Sequence, residues 1–306
     1  MRGRAQILLA KEHTLDLSRP LVMGILNATP DSFSDGGLHP DLDARVARGR
    51  ELIADGADLL DIGGEAGVTN RPPVALEEEI ERVVPLIERL APHAPISVDT
   101  YKAPVARAAV EAGASIVNDP SGLTDPEMAA VCAGTGTALV VTHTSARPKQ
   151  KLDDPQYEDV VEDVRRFFAE RIELVRAAGV DDDQILLCPG PDMGKTPPQT
   201  IELLRGLDWL SSFGRPLLLA LSRKDFIGAL THRRPRARLA GTLAAIAHGV
   251  AHGGRVLRVH DVADVRDFLT VRAALEGGLD VADDLRLADE LRWEEAPPAT
   301  AKQGAG

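Results

Sequence analysis

Met23-Gly24-Ile25-Leu26-Asn27-Ala28-Thr29-Pro30-Asp31-Ser32-Phe33-Ser34-Asp35-Gly36-Gly37 begins as an apolar run and stops at an amide followed by turn-forming residues. The run lacks helical spacing and lies between Pro20 and Thr29-Pro30-Asp31, so it reads as a buried strand delivering Asn27 to a loop at its carboxyl end. The same grammar recurs. Leu59 to Glu65, Ile96 to Lys102, Ile116 to Asp119 and Ala138 to His143 are apolar runs that end in polar residues, as are Ile185 to Gly190, Pro216 to Lys224 and Val256 to Asp261. Between these eight runs, segments such as 44–54, 77–90, 103–112, 157–178, 200–210 and 238–252 carry helical patterns, with Gly113, Gly179 and Gly253 placed to end helices.

Strand alternating with helix pairs strands in parallel through right-handed crossovers. Eight such units predict an α/β fold, a single-domain (β/α)8 TIM barrel over residues 20–278, with an open doubly wound sheet as the competing arrangement. Residues 1–19 read as an N-terminal extension and 279–306 as a C-terminal one. The end of the latter, with Pro297-Pro298, has too little apolar surface to pack and is expected to be disordered.

Composition narrows the function. The chain has 306 residues and only 3% aromatics, so its core must be built of Leu, Val, Ile and Ala. A net charge of −12 and the lack of a basic face argue against a nucleic-acid partner. Cys132 and Cys188 form neither a metal-type pair nor a disulfide framework, which suits a reducing compartment. Ile7-Leu8-Leu9-Ala10 is too short for a signal-peptide core and no long apolar run occurs, so a cytoplasmic protein with no membrane partner is expected. Cations gather instead at strand ends: Arg223, Lys224 and Arg258, with His260, follow the last two strands, where barrels commonly hold a phosphate.

The runs Met23 to Gly37, Asp61 to Glu65, Ser97 to Lys102, Asn118-Asp119, Pro189 to Thr196, Ser222 to Lys224 and Arg258 to Asp261 together resemble dihydropteroate synthase, in order and spacing, over roughly residues 20 to 275. The resemblance implies a homodimeric barrel enzyme of folate biosynthesis. Such an enzyme condenses 6-hydroxymethyl-7,8-dihydropterin diphosphate with 4-aminobenzoate and releases pyrophosphate, with Mg2+ as cofactor. It further implies Asp99 and Lys224 as catalytic residues, and a pterin pocket of Asp99, Asn118, Cys188 and Lys224. The diphosphate would fall to Asn27, Arg258 and His260, with Asn27 also placing the metal. Thr29, Phe33 and Asp35, on a loop with the composition of a lid, would form the aminobenzoate side with Val68 and Asp225. Physical chemistry suits these residue types: loss of pyrophosphate leaves a cation delocalised into the pterin ring, which a fixed carboxylate stabilises while cations grip the leaving anion. Taken singly, Asp99 reads more readily as a helix N-cap, which the constellation reverses, and His143 as a satisfied strand-end histidine without a catalytic role.

Three positions depart from the family pattern. Ala66-Gly67-Val68-Thr69 stands where the family usually reads Ser-Thr-Arg-Pro, so an arginine becomes Val68, with Arg71 three positions on. Cys188 replaces an aspartate that accepts hydrogen bonds from the pterin, and a neutral thiol is a poor acceptor. Asp192 on the same loop is a candidate replacement. Asp225 replaces a serine, setting a carboxylate where the aminobenzoate carboxylate would lie, unless Arg71 or Arg223 intervenes. Two alternatives therefore stand beside the synthase reading: a non-catalytic pterin-binding barrel, like the methyltetrahydrofolate-binding modules of corrinoid methyltransferases, and a divergent paralogue using a different amine acceptor. Retention of Asn27, Arg258 and His260 favours the enzyme.

Overall fold

The computed structural model describes residues 7–29, 42–65 and 72–292. It opens with a hairpin inside the stretch read from sequence as an extension. Strand β1 (Ile7–Ala10) pairs antiparallel with β2 (His13–Asp16), and Lys11 turns the chain at φ +53°. Leu8 and Ala10 alternate with exposed Ile7 and Leu9, so one face of the hairpin is apolar and buried.

The expected barrel follows. Strands β3 (Leu21–Asn27), β4 (Leu59–Gly63), β5 (Ile96–Asp99), β6 (Ile116–Asp119), β7 (Ala138–Thr142), β8 (Ile185–Cys188), β9 (Leu217–Leu219) and β10 (Gly254–Val259) are all parallel. The pairing of β10 with both β9 and β3 closes the sheet and removes the open-sheet alternative. Leu8, Ala10 and Leu17 join Leu59, Ile116, Ala138 and Val256 in one buried cluster, so the hairpin plugs the end of the barrel at which the strands begin.

Helices α1 (Leu42–Ala54), α2 (Leu76–Leu90), α3 (Ala103–Glu111), α4 (Glu127–Thr135), α5 (Val160–Ala177), α6 (Pro197–Arg205), α7 (Asp225–Thr231), α8 (Leu239–Ala251) and α9 (Val262–Leu275) alternate with the strands. Side-chain caps account for two shifts from the sequence reading. Asp159 accepts the Val161 and Glu162 amides at 2.9 Å each, so α5 starts later than Tyr157. Thr196 and Gln199 form a capping box that starts α6 at Pro197, before Thr200. Gly113, Gly179 and Gly253 all take positive φ just past α3, α5 and α8.

The chain divides into two compact units, Met1–Asp267 and Phe268–Gly306. The first contains the hairpin and the whole barrel. In the second, Arg272 pairs with Glu276, Gly277 turns the chain at φ +76°, and Val281, Leu285 and Leu287 are exposed. The tail expected to be disordered lies, from residue 293 on, outside the described residues. No helix among the described residues is long and apolar enough to cross a membrane.

Candidate active site

Parallel strands bring every carboxyl end to one rim. There the barrel opens into a cavity of about 1010 Å³, bordered by Asp99, Asn118, Cys188, Lys224 and Arg258. Register explains the grouping: Gly63, Asp99 and Asn118 are mutual partners across β4, β5 and β6, so Asp99 and Asn118 point to the same side of the sheet. Asp99 does not cap α3. Its Oδ2 accepts Arg258 Nη2 at 2.6 Å, while Arg258 Nε donates to Asp61 Oδ2 at 2.5 Å. Asn118 Nδ2 donates to the same Asp61 oxygen at 3.2 Å.

Two carboxylates thus share one guanidinium. Burial pushes Asp99 up to about 7; Arg258 opposes that rise, while Asp61, Glu79 and Asp119 add to it. Asp61 is fully buried, and its Oδ1 has no hydrogen-bond partner among the described residues; such an acceptor suits a ligand donor or an ordered water.

On the opposite side of the cavity, Cys188 ends β8 beneath a tight turn. Burial raises its thiol, so it stands neutral among Lys195, Lys224 and Arg258. The turn is fixed by backbone crowding. Gly190 lies at φ +65°, and a Cβ there would sit 1.9 Å from the His143 carbonyl oxygen, so this glycine serves the contact between β7 and β8 loops rather than approach to a flat ligand. Lys195 ties the same loops together, donating to His143 Nδ1 at 2.8 Å and to the carbonyls of Gly190 at 3.0 Å and Met193 at 3.1 Å. Burial lowers Lys195 to about 7 and His143 to about 2, so His143 is a neutral acceptor with a structural task.

Asp192 does not stand in for the lost aspartate. Its Oδ2 accepts the backbone N–H groups of Asp225 at 2.5 Å and Phe226 at 3.3 Å, and its Oδ1 accepts the Thr200 hydroxyl at 3.1 Å. The Asp225 carboxylate is exposed and paired with Arg238 at 2.9 Å, and Arg223 is committed to Asp261. Among the described residues Arg238, rather than Arg223, therefore balances the extra charge.

His260 follows β10, and Ser222 Oγ lies 3.0 Å from its Nδ1 while accepting the His260 backbone N–H at 3.3 Å. Burial, with Arg223 and Arg258 nearby, lowers His260 to about 4, so it is a neutral donor at pH 7 in the free protein. Asn27 ends β3 exposed at the rim, and Thr29 just beyond it is buried. Phe33, Asp35, Val68 and Arg71 lie outside the described residues.

The sequence reading missed a charged cluster on the β4 side of the cavity. Glu65 accepts Lys102 Nζ at 2.8 Å and pairs with Lys149 at 2.9 Å, and Lys102 also reaches Glu79 at 2.6 Å. Burial raises Glu65, but its two lysines outweigh that and hold it below the ordinary carboxylate range. Asp61 and Lys195 were likewise given no role, although Asp61 interrupts an apolar run in the middle of a strand, which is the one local signal that marks it.

Comparison with known proteins agrees with this geometry. The profile of the pterin binding enzyme family matches residues 23–260. The chain is 40% identical to the dihydropteroate synthase of Escherichia coli K12 over 266 residues, 86% of this chain and 94% of that protein. It is 43% identical to the dihydropteroate synthase of Bacillus subtilis over 250 residues, 81% and 85% of the two chains. The chain belongs to the dihydropteroate synthase family. Solved members of that family superpose well: Xanthomonas albilineans dihydropteroate synthase with 4-aminobenzoic acid has a TM-score of 0.83 at 44% identity, covering 89% of this chain and 98% of that one. The same enzyme in complex with 7,8-dihydropteroate has a TM-score of 0.79 at 46% identity, with 87% and 97% covered.

Proposed function

We propose that the chain is a dihydropteroate synthase, a transferase that joins 6-hydroxymethyl-7,8-dihydropterin diphosphate to 4-aminobenzoate in folate biosynthesis. The observation that carries this reading is the Asp61–Arg258–Asp99 chain with Asn118 at the cavity, in a barrel that superposes on a relative bound to 7,8-dihydropteroate. In this reaction the bond between the pterin methylene carbon and the diphosphate oxygen breaks, and its electron pair leaves with pyrophosphate. The methylene carbon, its positive charge spread into the ring, then accepts the lone pair of the amine, which loses a proton.

Asp99 offers a fixed negative charge to that cation, and at about 7 it is matched to accept the amine proton near neutrality. Arg258 holds Asp99 in one orientation and, with His260, receives the departing anion. Asn118 and Lys224 take the polar edge of the pterin.

Mg2+ belongs to the same proposal. A hard cation bound to the diphosphate oxygens would keep several of its waters and need few protein ligands. The Asn27 carboxamide oxygen at the rim would hold it, and the ion would supply charge neutralisation on the leaving group.

The reading extends to a cytoplasmic homodimer. Its support is the pair of free, buried cysteines, together with the uncharged helix α8, whose Ala240, Ala244 and Ala251 are exposed along one stripe. Light scattering at micromolar concentration tests the assembly.

The deciding experiment supplies pterin diphosphate and Mg2+, with and without 4-aminobenzoate, and follows pyrophosphate and dihydropteroate. Stoichiometric formation of both is expected. No pyrophosphate in either arm refutes the synthase, and pyrophosphate without adduct redirects the reading to another amine.

A further inference from the structure

Asp192 occupies the left-handed region at φ +62°, which costs a residue with a Cβ roughly 1 kcal/mol or more. Its surroundings hold it there. The two amides that its Oδ2 accepts, those of Asp225 and Phe226, are the first of α7, and the residue immediately before them is Lys224. Lys224 is itself the N-cap and makes no side-chain cap, so the helix takes its cap from a loop 33 residues back in sequence. Thr200 locks the carboxylate from the other side, donating to Oδ1 and accepting the Asp192 N–H, both at 3.1 Å.

We propose that Asp192 is the positioning residue for Lys224: its carboxylate fixes the start of α7, and with it the lysine backbone, while setting a negative charge beside the ammonium in the cavity wall. This rests on the reading that Lys224 binds the pterin edge. The electrostatics agree. Burial lowers Lys224, and Asp192 is the strongest influence acting against that, ahead of Asp225 on α7, while Arg258 on β10 adds to the lowering and the neutral Cys188 thiol on β8 packs alongside. Lys195, on the Asp192 loop, and His260 after β10 also face it. Asp225 is exposed and paired with Arg238, which leaves Asp192 as the carboxylate that supports the ammonium.

Two substitutions separate charge from shape. Asp192→Asn keeps an acceptor for the α7 amides and removes the charge; Asp192→Gly relieves the φ and removes the cap. The titration of Lys224 is read directly by side-chain 15N NMR, assigned with Lys224→Arg, and pterin diphosphate binding is read by calorimetry from pH 6 to 9. Asp192→Asn is expected to move the Lys224 titration to lower pH and to weaken binding at pH 9 by about tenfold, the worth of one charge-assisted hydrogen bond, with little change in thermal midpoint. Asp192→Gly is expected to weaken binding across the whole range.

A Lys224 titration identical in wild type and Asp192→Asn overturns the inference, as does a loss of thermal stability in both variants with that titration unmoved. The NMR arm needs no turnover, so an inactive wild type would refute the synthase reading while leaving the Asp192–Lys224 coupling to be decided on its own.

Discussion

Asp99 and Asp61 compete for a single guanidinium, and the outcome sets how the site responds to pH. Asp99 is buried and pushed up to about 7, so below that pH it carries a proton and offers neither a negative charge nor a base. The kcat/KM for pterin diphosphate should therefore fall as pH drops through about 7. Asp99→Asn should cost about 10²–10⁴-fold and flatten that acid limb; a variant that kept the limb would assign it to another group. Cys188 makes the opposite case, because a better residue is available. Its neutral thiol stands among Lys195, Lys224 and Arg258, which would hold a carboxylate ionised there. Cys188→Asp should therefore tighten pterin binding by about ten- to hundredfold in calorimetry, one charged hydrogen bond being worth about 1.5–3 kcal/mol. Unchanged affinity would mean that the pocket is satisfied without that acceptor.

The elements divide by how local their causes are. The barrel strands were legible because each is a short apolar run that ends where chemistry begins, and α2 and α5 because their apolar faces repeat at helical spacing. Helix α4 was not: Glu127–Thr135 is apolar and small all round, with no face to read. The hairpin was hidden for another reason. Its turn uses Lys11 at positive φ, where Asn or Gly would have signalled it, and β2 is half exposed on both sides. In the site, Asp99, Asn118 and Arg258 were found because each is a polar residue at, or one position before, the carboxyl end of its strand, whereas Asp192 takes its meaning from amides far along the chain. The hairpin carries a clean prediction, since Leu8 is fully buried at the end of the barrel away from the cavity. Leu8→Ala should cost about 2–5 kcal/mol in urea unfolding and leave kcat unchanged at a temperature where the variant is folded. A fall in kcat would show that the plug is coupled to the rim.

Across the molecule, a chain of net charge −12 keeps a group of cationic and imidazole side chains inside the barrel mouth. Their burial ties stability to pH, and His143 isolates the effect. It is 4% exposed, accepts a hydrogen bond from Lys195, and is lowered to about 2 from an ordinary value near 6.5. Its folded-state pKa lies below its unfolded one, so on acidification the unfolded chain takes up the proton first and the balance moves toward unfolding. The stability that His143 gives by staying neutral is complete above pH 6.5 and is lost progressively below it. Other groups titrate in the same window, Asp99 with the opposite sign, so the quantity to compare is the difference between wild type and His143→Gln, which retains an acceptor for Lys195. Between pH 7 and pH 5 that difference should shrink by about 2 kcal/mol in the variant's favour, close to 1.4 kcal/mol for each pH unit below 6.5. Parallel curves would mean that the folded barrel accommodates a charged His143, and the reading of His143 as a dry, neutral acceptor for Lys195 between β7 and β8 would fail.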